Sequence, residues 1–158
     1  MTPRAFLEQI VRPNVVEFHE HYADLRRAHN AISTADALAA HMYEWAKEHE
    51  PDEVSPYRTD SLYRNALAER DPDFRMVRDI AKAQKHVHLT KHNPQVTKAS
   101  QVTSRPIGYG QGGYGQGRFG GPKQIVVDTG PNQFCYVEGL LDRALSFLEG
   151  EMAALNVD

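Results

Sequence analysis

The chain has 158 residues, of which 41% are hydrophobic, 25% charged and 9% aromatic, with a formal net charge of -3. A length of that order suits one domain with its own core, and the composition excludes collagen-like, disordered and membrane-embedded classes. Cys135 is the only cysteine, so an internal disulfide and a zinc-thiolate cluster are excluded as well.

Helical periodicity dominates the first half. Thr2-Pro3 has the form of an N-cap followed by proline at the first helical position, and Phe6, Leu7 and Ile10 give a short apolar stripe. Pro13 is expected to kink or restart this helix, after which Val15, Phe18 and Tyr22 continue the spacing. From Leu25 the residues Ala28, Ile32, Ala35, Ala39, Met42 and Ala46 step by three and four, flanked by Leu38 and Trp45. That is one long helix with an alanine-rich seam, Trp45 being expected inside. Such a seam lets a neighbouring helix approach closely, and a homo-oligomer is the expected use of it.

Glu50-Pro51-Asp52 ends the long helix, and Ser55-Pro56 can open the next, which carries Leu62, Tyr63, Ala66 and Leu67 as far as Asp71-Pro72. Asp73 is expected to cap a helix from Phe74 to about Leu89, closed by Asn93-Pro94. Beyond it the pattern turns to strands: a loose alternation over 96–102, the compact run Gln124-Ile125-Val126-Val127-Asp128, a turn at 129–132, and Phe134-Cys135-Tyr136-Val137. A last helix presents Val137, Leu141, Ala144, Leu145, Leu148 and Met152 on one side. The expected fold is mainly α: a single domain over 1–158, with four to five bundled helices and a small antiparallel β-hairpin or sheet. The helical part spans 1–92, the β-hairpin region 93–136, and the C-terminal helix 137–155. No apolar run reaches the length of a membrane span, and Met1-Thr2-Pro3-Arg4 leads into an amphipathic pattern instead of a signal peptide. The expected location is the cytoplasm, with no membrane contact.

Charge is distributed unevenly. Residues 17–60 hold ten acids against four bases, residues 70–98 hold seven Lys/Arg against three Asp, and residues 128–158 hold six acids against Arg143. The basic middle either meets an anionic partner or neutralises the acidic ends on folding, and the second reading is the simpler.

Within the β region, residues 107–121 contain eight Gly in fifteen positions, with Tyr109, Tyr114 and Phe119 at five-residue intervals and Arg118 beside the last. Gly108-Tyr-Gly110-Gln-Gly-Gly113 has the letters of a dinucleotide-binding loop, but no strand leads into it and no helix opens from it. Either the segment is a long excursion anchored by its aromatic residues, or Tyr109, Tyr114, Arg118 and Phe119 form a stacking surface for a partner.

Around the helix at 74–89, Phe74, Val77, Ile80, Ala81, Gln84, Val87 and His88 share one half of the wheel, which is expected to face the core, and Arg75, Arg78, Asp79, Lys82, Lys85 and His86 share the other. That polar half is either a solvated face with ion pairs such as Asp79 with Lys82, or a binding face made by Arg75, Lys82 and Lys85. Arg78, Asp79 and His86 could also perform acid–base chemistry on a phosphodiester, His86 moving the proton and the cations stabilising negative charge. The histidine pairs Glu17/His21, His41/Glu44 and His88/His92 stand at helical spacing without forming a known ligand motif, so no metal and no cofactor is expected.

The run Arg78-Asp79-Ile80-Ala81-Lys82-Ala83-Gln84-Lys85-His86-Val87-His88-Leu89 resembles a group of small bacterial proteins with an Asp-x5-Lys-His-x-x-Leu helix, a group that brings no activity with it. More remotely it is similar to HEPN-type helical bundles, whose ribonuclease members pair an Arg and a following polar residue with a nearby His. That resemblance implies catalytic roles for Arg78, Asp79 and His86, although the interval from Arg78 to His86 is longer than the family's. The family's own interval occurs at Arg12 and His19, across Pro13. The leading functional expectation is a binding or assembly protein without catalysis, its partner a protein in preference to RNA. The alternative is a HEPN-like ribonuclease or toxin component.

Overall fold

The computed structural model describes residues 1–86, 88–90, 93–106, 123–131 and 133–157. The Gly-rich segment with Tyr109, Tyr114, Arg118 and Phe119, and also His92, lies outside the described residues.

Thr2 opens α1 (Pro3–Phe6), its Oγ1 accepting the Ala5 N–H at 3.1 Å. The kink or restart expected at Pro13 takes the form of a π-helical turn. Leu7–Val11 widens into a π-helical turn in which the Arg12 N–H reaches the Leu7 carbonyl, and α2 (Arg12–Glu20) follows directly. Proline cannot donate, and in a regular turn its ring collides with the carbonyl four residues back; the wider turn relieves that clash. Asn14 Nδ2 then donates to the Ile10 carbonyl at 2.9 Å.

Asp24 caps α3 (Leu25–His49) by accepting the Arg26 and Arg27 N–H groups at 2.9 and 3.2 Å. A single turn, α4 (Pro51–Val54), precedes α5 (Asp60–Arg70), which starts after Thr59 and not at Ser55-Pro56 because the Thr59 hydroxyl accepts the Leu62 N–H. The cap of α6 (Pro72–His86) is Asp71 and not Asp73: Pro72 takes the first helical position, so the Asp71 carboxylate is the one that meets the Phe74 N–H, at 2.6 Å. The last helix is α7 (Val137–Ala154).

α3 is the centre of the packing, with α2, α5, α6 and α7 against it. Its seam residues Ala28, Ile32, Ala35, Ala39, Met42 and Ala46 are completely buried by the chain's own helices. The seam is therefore filled internally and gives no ground for expecting a homo-oligomer. At the margins of the seam Leu25 is exposed, while Trp45 is partly buried against the core, its ring stacked on His49 at a centroid distance of 4.5 Å.

Three antiparallel strands follow in the order β1 (Val102–Pro106), β2 (Lys123–Gly130), β3 (Gln133–Tyr136). The first strand begins where the alternation over 96–102 was expected to end. Gln101 explains the shift: its side-chain oxygen accepts the Thr97 and Lys98 N–H groups while its amide donates to the Asp128 carbonyl, which holds the preceding residues in a turn. Register sets Val102 opposite Val127 and Val127 opposite Cys135, so these residues and Ile125 share the inner face. That face meets the helices at Cys135, whose sulfur lies 3.4 Å from that of Met76.

Part of the uneven charge is matched between distant segments of the fold. Arg70 pairs with Glu151, Arg143 with Asp73, Arg105 with Asp128 and Arg78 with Asp36, each joining segments distant in sequence. Among the described residues no helix is long and apolar enough to cross a membrane.

Candidate functional site between two helices

The apolar half of α6 is buried as its periodicity predicts, with Phe74, Val77 and Ile80 out of contact with solvent, but the helix ends at His86 and not near Leu89, so His88, expected on the same half, lies beyond it and is exposed. The polar half is solvated only toward its end, at Lys85 and His86. Arg78 is 2% exposed and Asp79 7%, because α5 packs over them and offers polar side chains of its own. Beneath both helices α3 contributes Asp36, 3% exposed, set in the alanine seam.

Arg78 is the hub. Its Nη1 donates to Asp36 Oδ1 at 3.1 Å, its Nη2 to Asn65 Oδ1 at 2.9 Å and to the Ser61 carbonyl at 3.1 Å, and its Nε to Asn65 Oδ1 at 3.1 Å. The other oxygen of Asp36 accepts Arg64 Nη1 at 2.7 Å, and Arg64 also pairs with Asp60. One buried carboxylate thus serves two guanidinium groups, an arrangement in which every charge depends on its neighbours. Burial lowers the Arg78 pKa against the opposing pull of Asp36.

Above this base lies a cavity of about 160 Å³ lined by Asn65, Glu69, Arg75, Arg78, Asp79 and Lys82. Lys82 reaches Asn65 Oδ1 at 3.2 Å, and Asp79 Oδ2 accepts the Gln95 N–H at 2.8 Å. The ion pair expected between Asp79 and Lys82 is absent; among the described residues no carboxylate comes within salt-bridge distance of Lys82 or of Arg75. Arg75 instead donates to the Asn93 carbonyl at 2.8 Å. Burial lowers the Lys82 pKa, with Arg78 adding to the effect, and burial raises that of Asp79. The cavity is therefore lined by the cationic Lys82 and Arg75 beside the charge-compensated Arg78, and by two carboxyl groups, Glu69 and Asp79, the latter disposed toward its neutral form.

Of the residues singled out by sequence, the fold gathers Arg75, Arg78, Asp79 and Lys82 around one cavity. Lys85 and His86 are exposed at the end of α6 and do not line it. Asp36, Asn65, Ser61 and Arg64 were missed. A signal existed for Asp36 alone, an acid at a position in register with the buried seam.

The other reactive side chains have ordinary partners. His29 Nδ1 meets the Gln84 amide, whose oxygen accepts the Ser33 hydroxyl at 2.9 Å, and His41 stacks on Phe6 at 3.9 Å. Burial pushes the Cys135 thiol up to about 11. Among the described residues no group of three or more His, Cys, Asp or Glu is placed to hold a metal ion. Compared with protein-family models, curated proteins and solved structures, the chain matches none.

Proposed function

We propose that this chain is a binding or assembly protein, without catalysis, that receives an acidic group of a partner protein in the cavity between α5 and α6. Lys82 carries the reading. Its ammonium is partly withdrawn from water, its one hydrogen-bond acceptor is a neutral amide, and it has no carboxylate partner among the described residues. A carboxylate entering the cavity gives Lys82 the direct counter-ion that Asp79 and Asp36 supply only at longer range, and Arg75 on the same lining adds a second charged donor.

A space of about 160 Å³ admits a carboxylate with part of its side chain but no nucleotide. RNA binding also rests on a row of unneutralised cations, whereas Arg70, Arg78, Arg105 and Arg143 are each committed to the chain's own acids. The test is calorimetric titration with a glutamate-rich peptide and, separately, with a single-stranded RNA oligonucleotide. The peptide is expected to bind, and Lys82→Gln to weaken it by about tenfold to a hundredfold, the value of one charge-assisted hydrogen bond. Preferential RNA binding with a steep salt dependence, or a peptide affinity unmoved by Lys82→Gln, would overturn the reading.

A further inference from the structure

A second concavity, of about 350 Å³, lies between α2 and α7. Arg12 and His19 both lie in α2, two turns apart, and so share one wall. On the facing wall Asp142 and Glu149 stand at the same interval, and the helices run antiparallel. Arg12 Nη2 reaches Glu149 at 2.9 Å at one end, and His19 Nε2 lies 3.3 Å from Asp142 at the other. The two contacts cross the gap like rungs about 10 Å apart. Between them the floor is apolar, made by Val15 and Leu145, and Val16 on the rim is 55% exposed.

The electrostatics of this groove are opposite to those of the α5/α6 cavity. Arg12 is shared between Glu149 and Glu8, the latter at 3.1 Å, so its charge is more than matched. Among the described residues the only group within salt-bridge distance of Asp142 is the imidazole of His19, whose buried Nε2 makes no hydrogen bond. The one base on α7, Arg143, is turned away to Asp73. An apolar floor two helical turns long with surplus carboxylate at its edges fits one kind of occupant: an apolar side chain presented by a helix whose flanking residues are basic.

We propose that the α2/α7 groove docks a basic amphipathic helical segment of a partner protein, one apolar side chain entering between the two rungs and Lys or Arg residues meeting Asp142 and Glu149. This inference is independent of the α5/α6 cavity. Its test uses fluorescence anisotropy of a labelled amphipathic Leu/Lys helical peptide, against a scrambled peptide of identical composition, on the full chain. The helical peptide is expected to bind at least tenfold more tightly than the scrambled one. Val16→Lys, at an exposed position that leaves the core intact, is expected to abolish that preference, and Val16→Ile to retain it. Asp142→Asn is expected to weaken binding severalfold and flatten its salt dependence. Equal binding of the two peptides, or a preference that survives Val16→Lys, would overturn the proposal. So would light scattering that shows a dimer disrupted by Val16→Lys, since the groove would then be occupied by a second copy of the chain.

Discussion

Asp36→Asn is the most informative single change to the structural core of the site. The carboxylate is 3% exposed and accepts Arg78 at 3.1 Å and Arg64 at 2.7 Å. Asparagine fits the same space but carries no charge, and its NH2 group points a donor at one of two guanidinium groups that can only donate. Arg64 retains Asp60, whereas Arg78, 2% exposed, keeps only Asn65 and Ser61. Breaking a buried pair by removing one partner costs about 3–5 kcal/mol. Against a typical domain stability of about 5–15 kcal/mol that is a large fraction, and it corresponds to a fall in Tm of about 6–20 °C for a chain of this size. Urea melts followed by far-UV circular dichroism measure it, with the midpoint expected to fall and the slope to stay constant. The double variant Asp36→Leu with Arg78→Met is expected to lose less than the sum of its single changes, because it removes both charges together. A loss below about 1 kcal/mol for Asp36→Asn, or strict additivity in the cycle, would refute the view that Arg78 is held by this carboxylate.

Other expectations follow from the same geometry. Burial raises the Asp79 pKa, so the stability linked to its protonation is present below the ordinary carboxylate value and lost as pH rises through the raised one, each tenfold change in acidity being worth about 1.4 kcal/mol. Asp79→Asn, which keeps an oxygen for the Gln95 N–H, should therefore equal the parent near pH 3 and exceed it in thermal melts at pH 7; a variant that is less stable at pH 7 contradicts this. Phe74→Ala, at a fully buried position, is expected to cost about 3–5 kcal/mol, and Trp45→Ala, half-buried beside His49, clearly less. Comparable losses in denaturant would contradict the partial exposure of Trp45. Asp71→Ala removes the cap of α6 and is expected to cost about 1 kcal/mol, with early loss of amide protection at Phe74 in hydrogen exchange.

Elements with a strong apolar period were legible in the sequence. The α3 seam, the buried side of α6 and the stripe of α7 all follow from spacing alone, because hydrophobic burial acts on each residue in proportion to its own apolar surface. Boundaries set by one specific hydrogen bond were not. Gln101 delays β1, Thr59 delays α5, and the π-helical turn before Pro13 carries a helix through a residue that normally ends one. The site was half legible for a similar reason. A helical wheel shows that Arg75, Arg78, Asp79 and Lys82 share a face, but cannot show that α5 and α3 cover it with Asn65, Ser61 and Asp36. Polar residues on a helix look alike in sequence whether they meet water or a matched set of partners, and the pairing across long separations decides which. Lys85 and His86 share that face in the wheel as well, yet they stand exposed in the last turn of α6.

The central claim is that Lys82 and Arg75 await a carboxylate from another protein, and side-chain nuclear magnetic resonance tests it most directly. In a titration of the nitrogen-15-labelled chain with a glutamate-rich peptide, the Lys82 Nζ and Arg75 Nε signals should shift saturably and together. Signals from Lys47, already paired with Glu44, should stay in place. Small, unsaturated shifts spread over all the lysines, with Lys82 no different from Lys47, would contradict the account.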